Sequence, residues 1–213
     1  MFAASLGVCA WSYVFMMGRQ TPPAGWEPLV VDAALITVFA LHHSLFARER
    51  VKAWLTLRVP ASLLRSVYVW VASLLLLLVF VLWRPIGGQL YTVTGIPAAA
   101  LAAVQLAGLW ITARGVARID PLELAGIRPA AEAQGLQVTG PYHWVRHPLY
   151  LGWLLMVFGA AHMTGDRLAF AAVTTTYLVV AIPWEERSLR RSFGEEYVRY
   201  MRDVTWRMIP FIY

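Results

Sequence analysis

Apolar positions in this chain fall in long unbroken runs, not in the alternation of a half-buried strand or the one-sided stripe of a soluble helix. Six runs of 17 to 19 residues carry few or no charges: Met1–Gly18, Pro28–Phe46, Ser66–Trp83, Ile96–Ala113, Pro148–Gly165 and Leu168–Trp184. Runs of this length span a bilayer as helices, which close their own backbone hydrogen bonds, as lipid requires. The pattern predicts an all-α polytopic membrane bundle of about six transmembrane helices. Pro22, Pro23, Gly87 and Gly88 fall in the connections, where breakers belong. The first run has neither a basic leader nor a small-residue cleavage site, which predicts a retained helix. The tail from Glu185 to Tyr213 places Leu189, Phe193, Tyr197 and Tyr200 at helical spacing and reads as a cytoplasmic amphipathic helix. Residues 1–213 are expected to form a single membrane domain. Its N-terminal spans fill 1–113, and a last hairpin with its cytoplasmic tail fills 114–213.

Composition agrees. The chain is 59% hydrophobic and 14% charged, against about 25% charge in a soluble domain. Its net charge of +6 does not point to nucleic acid, because the cations flank apolar runs. With the amino terminus inside, fifteen Lys and Arg fall on the inner side. Only Arg19, Arg84 and Arg167 fall outside. That bias predicts a multi-pass protein whose functional end faces the cytoplasm. The expected partners are membrane lipid and a small apolar or lipophilic substrate. Cys9 is the only cysteine, so no internal disulfide forms.

The last two runs are joined by a turn of only a few residues, Met163–Arg167, and predict an antiparallel helical hairpin. Its two open ends return to the inner face. One carries Gly140-Pro141-Tyr142-His143-Trp144-Val145-Arg146-His147-Pro148-Leu149-Tyr150, the other Pro183-Trp184-Glu185-Glu186-Arg187. Pro148 suits a first helical position and holds His147 at the cap. The free amides of that first turn are expected to attract a carboxylate or phosphate, with Arg146 adding a forked donor. Glu185 and Glu186 can accept from an ammonium or from ribose hydroxyls. Pro183 is expected to free the carbonyl of Val179.

Arg146-His147-Pro148-Leu149-Tyr150-Leu151-Gly152 resembles the R-H-P-x-Y-x-G signature of the isoprenylcysteine carboxyl methyltransferase and phospholipid methyltransferase superfamily. Glu185-Glu186, Leu189, Phe193-Gly194, Tyr197, Tyr200 and Pro210 resemble its tail motif. The resemblance covers Gly140 to Pro210 and implies an integral membrane enzyme using S-adenosylmethionine. By motif position, His147, Tyr150, Gly152, Glu185 and Glu186 are the expected cofactor-binding residues. Tyr142, Trp144, Tyr150 and Trp184 offer rings for the sulfonium. Arg146 and Glu186 are the expected catalytic pair, and transfer is expected to be direct, without a covalent enzyme intermediate.

The amino-terminal half refines the expectation. His42-His43-Ser44-Leu45-Phe46-Ala47-Arg48 with Lys52-Ala53-Trp54, and Asp120-Pro121-Leu122-Glu123-Leu124-Ala125-Gly126-Ile127-Arg128, are similar to segments of the methanethiol S-methyltransferase and NnrU-like group. His42 stands where that group commonly has glutamine, and Pro129 to Gln137 is an extra stretch. The implied acceptor is a small thiol. A prenylcysteine carboxyl or phospholipid amine is the alternative, and a non-enzymatic NnrU-like accessory role is a further one. His42 and His43 are adjacent and point about 100° apart on a helix. No C-x-x-C pair exists, and no metal is expected. The two histidines are instead candidates for lining a substrate cavity.

Overall fold

The structure, a computed structural model, describes residues 1–46, 49–117, 122, 125–127 and 135–213. Ala47-Arg48, Arg118, most of the Asp120–Arg128 motif and the stretch 129–134 lie outside the described residues. The described chain is predominantly helical. Four helices are long and apolar enough to cross a membrane, Glu27–Phe46, Leu63–Val81, Gly95–Val116 and Gly165–Phe193. Phe2–Met16 and Pro148–Phe158 are shorter apolar helices. In the four long helices only 11 to 22% of the most apolar window is buried within the protein. Their exposed Leu, Val and Trp side chains have lipid as their natural cover. The chain is an integral membrane protein.

It divides into two compact units. The first holds Met1–Tyr91, the described part of 119–131, and His162–Val173. Helices α1 (Phe2–Trp11) and α2 (Glu27–Phe46) both pack on α4 (Ala61–Val81), and α3 (Glu49–Leu55) follows α2. A single π-turn, Ser12–Met16, ends α1. The carbonyls of Tyr13 and Val14 in that turn accept from the Arg167 guanidinium at 3.1 and 2.8 Å. A cation is the favoured partner of a helix carboxyl end. Strand β1 (Gln89–Thr92) pairs with β2 (His162–Thr164). Buried Asp166 anchors the same region by accepting from Trp83 Nε1 at 2.8 Å, Ile86 N at 3.0 Å and Gly87 N at 2.9 Å. Gly87 has φ +70, and a β-carbon there would strike the carbonyl of Pro22.

The second unit holds Thr92–Arg118, the described part of 132–161, and Thr174–Tyr213. It contains α5 (Gly95–Val116), a 3-10 turn at Gly140–His143, α6 (Pro148–Phe158), most of α7 (Gly165–Phe193) and α8 (Glu195–Asp203). Helices α5 and α6 run antiparallel at very close range. A β-carbon on Gly108 would lie 2.6 Å from the Gly152 carbonyl, and one on Gly152 would strike Thr112 Oγ1. Small residues permit such approach, and in lipid it is the main source of helix attraction.

Three sequence expectations change. The run Pro148–Gly165 is not one helix: α6 stops at Phe158, capped at Gly159, and β2 follows. Strand pairing and the Gly159-Ala160 step thus replace the expected turn at Met163–Arg167. The tail is not one helix from Glu185. Helix α7 passes through Pro183 and runs unbroken to Phe193, and the break comes at Gly194, with φ +54.

Candidate active site

The site residues of the second unit are assembled by one turn and one tail. Glycine 140, with φ +67, opens the 3-10 turn that carries Tyr142. Beyond it, Arg146 N donates to the Trp206 carbonyl at 2.9 Å and His147 N donates to that of Arg207 at 2.7 Å. Chain from beyond α8 supplies these acceptors, because two buried amides need them. His147 caps α6 with non-helical φ −122 and ψ 66, and Pro148 follows at the first helical position, as the local reading expects.

The paired glutamates separate into two environments. Glu186 is 2% exposed. Its Oε1 accepts from Arg146 Nε at 2.7 Å and lies 3.5 Å from His147 Nε2, while its Oε2 lies 3.4 Å from Arg207 Nε. Glu185, one residue earlier, has a side chain 45% exposed. Its Oε2 accepts from the Tyr150 hydroxyl at 2.7 Å and lies 3.5 Å from His147 Nδ1. The His147 and Tyr150 rings stack 5.3 Å apart at 11°. Burial alone would lower the His147 pKa, but the two adjoining carboxylates outweigh it and hold it above the ordinary histidine value.

Arg146 is itself buried. Besides Glu186, it donates through Nη1 to the carbonyls of Val204 at 2.8 Å and Thr205 at 2.7 Å. Its forked donor meets an internal carboxylate and the tail, fastening residues 204–207 against the R-H-P turn.

Above this charged floor is a pocket of about 260 Å³, whose walls include Tyr142, His147, Tyr150, Glu185, Tyr197 and Tyr200. Of the residues expected at the site, Tyr142, Arg146, His147, Tyr150 and Glu185 line it, with Glu186 beneath. Gly152 sits where α6 meets α5. Trp144 stacks on Trp110, and Arg187 lies over the Trp184 ring. His42 and His43 belong to the first unit: His43 Nδ1 shares a 2.7 Å hydrogen bond with the Tyr68 hydroxyl, and the His42 ring stacks on the Tyr68 ring. Sequence reasoning missed Arg207 and the pocket-lining role of Tyr197 and Tyr200. The tail motif marked the two tyrosines, whereas Arg207 had no motif to reveal it.

Fold and site together define a helical membrane protein with a tyrosine-walled pocket over a charged floor. The family model described as phospholipid methyltransferase matches residues 98–196. The chain is 38% identical over 186 residues to methanethiol S-methyltransferase 2 of Bradyrhizobium diazoefficiens, covering 84% of this chain and 72% of that protein. It is 38% identical over 193 residues to the methanethiol S-methyltransferase of Crocosphaera subtropica, covering 86% and 75%. Human Nurim is more distant, 31% identical over 180 residues, covering 76% and 68%. No solved structure matches the chain. The chain belongs to the phospholipid methyltransferase family of membrane methyltransferases, on the branch similar to the methanethiol S-methyltransferases.

Proposed function

We propose that this enzyme transfers a methyl group from S-adenosylmethionine to a small thiol of the methanethiol kind, in the pocket beside α6 and α7, at the cytoplasmic face. The observation that carries the reading is the half-exposed Glu185 carboxylate, fixed by Tyr150 and His147 on the wall of a tyrosine-lined pocket. The residues fit such a donor. Glu185 is an acceptor for its ammonium or ribose hydroxyls, and the rings of Tyr142 and Tyr150 suit a sulfonium. When bound, the donor supplies an activated methyl group. Glu186 holds Arg146 and His147 in place from below, as a positioning residue. An inner-face cation such as Arg146 favours the thiolate, the reactive form of the acceptor, and the open pocket lets its proton leave to water.

The small-thiol assignment is supported by the likeness to the methanethiol S-methyltransferases. The deciding assay supplies purified protein with cofactor and methanethiol and measures dimethyl sulfide in the headspace. Dimethyl sulfide is expected. Its absence, with turnover of phosphatidylethanolamine or a prenylcysteine, would move the assignment to the family's lipid side. The cytoplasmic orientation rests on the inner-side excess of Arg and Lys, and a cysteine at Glu195 labelled only from outside would overturn it.

A further inference from the structure

Beyond the residues that cover the R-H-P turn, the tail closes into a turn of its own, none of which lines the pocket. Met208 N and Ile209 N donate to the Tyr213 main-chain oxygen at 2.8 and 3.0 Å, and Tyr213 N donates to the Ile209 carbonyl at 3.0 Å. Arg207 Nη1 donates to the Tyr213 hydroxyl at 3.1 Å. At the tip, Phe211 has φ +66, a positive value that no other non-glycine residue takes among the described residues. A bulky L residue rarely adopts it, because its β-carbon crowds the following carbonyl. The strain gains no burial inside the protein: Phe211 is 84% exposed and Ile212 76%.

Contacts within the second unit set the depth of this tip. On the spanning helix α5, Trp110 is half exposed and stacks on Trp144 with ring centres 6.1 Å apart. Two residues past Trp144, Arg146 N donates to the Trp206 carbonyl at 2.9 Å. The Trp206 ring in turn meets that of Phe211 at 5.4 Å. Short steps therefore join the tip to the lipid-covered surface of α5. Exposed Trp144 and Trp184 stand at the same end of the unit, as tryptophans do at a membrane–water boundary.

We propose that Phe211 and Ile212 insert into the bilayer between headgroups and acyl chains, fastening to the membrane the tail that covers Glu186. Lipid is the fitting occupant because the tip continues the lipid-facing surface of α5, and two side chains offer far less area than a stable protein interface needs. The insertion requires neither the cofactor nor the acceptor assigned above.

The test uses full-length protein carrying Cys9→Ser, which removes the only native cysteine. One nitroxide label at a time is attached through Phe211→Cys, Ile212→Cys, Leu106→Cys on the exposed face of α5, or Glu195→Cys at the exposed start of α8. In nanodiscs of phosphatidylcholine and phosphatidylglycerol, each label's collisions with oxygen, which concentrates in lipid, are compared with those of a water-soluble nickel chelate. Labels at 211 and 212 should favour oxygen, as the label at 106 does, while the label at 195 favours nickel. A nickel preference at 211 and 212 matching that at 195 would overturn the proposal. Labels there shielded from both reagents would overturn it too, since they would mark a protein neighbour.

Discussion

Neutralising Glu186 should damage this protein far more than neutralising its neighbour. In Glu186→Gln the fold loses the carboxylate that pairs with Arg146 at 2.7 Å, where the two side chains are 3% and 5% exposed. Removing one partner of a buried pair typically costs about 3–5 kcal/mol, because the remaining charge keeps its desolvation penalty without its compensation. Arg146 retains the carbonyls of Val204 and Thr205, so the expected loss lies near about 3 kcal/mol. At this chain length that is a fall in melting temperature on the order of 10 °C. Glu185→Gln removes a carboxylate whose side chain is 45% exposed, and exposed pairs are worth at most about 1 kcal/mol. Donor binding should reverse the ranking: Glu185→Gln weakens it with the fold intact. Fluorescence-monitored melting of both variants in one detergent, with and without S-adenosylhomocysteine, reads both quantities. Equal stability losses, or a Glu186→Gln protein within about 1 kcal/mol of wild type, would refute the division of labour between the two glutamates.

Three further outcomes follow from the same geometry. The raised pKa of His147 means that its contribution to stability is complete below the unfolded value of about 6.5. It is lost as pH rises through the higher folded-state value. The gap in melting temperature between wild type and His147→Gln should therefore be widest near pH 6 and close toward pH 9; a gap that widened with pH would contradict the charge arrangement. Gly152→Ala places a methyl group against Thr112 Oγ1 and the Gly108 carbonyl. It should cost about 1–3 kcal/mol by overpacking, and an unchanged melting temperature would show that α5 and α6 are not in close contact. Arg207→Gln should lower stability without abolishing donor binding, because its contact to Glu186 is long, 3.4 Å, and its side chain is partly exposed; complete loss of binding would make Arg207 part of the donor site itself.

Much of this protein was legible in one dimension because lipid imposes a one-dimensional rule. A run of apolar residues long enough to span the bilayer declares itself without reference to any neighbour, so the all-helical membrane class and the places of the long helices were evident from the runs. The cap at His147 and Pro148 was equally local, since proline constrains its own residue and the one before it. What escaped depended on partners distant in sequence. The stop of α6 at Phe158 goes with the pairing of β2 to residues some 70 positions earlier. The two glutamates look alike in the sequence, yet Trp206 and Arg207 cover one side of the R-H-P turn and bury Glu186 while Glu185 stays on the pocket wall. Tyr197 and Tyr200 share a motif, and only the position of the Tyr142 carbonyl gives one hydroxyl a partner and leaves the other without one among the described residues. Local sterics and hydrophobic length are properties of a segment and can be read from it. Which buried polar group meets which is decided by packing, because each such bond joins atoms that only the folded chain brings within 3 Å.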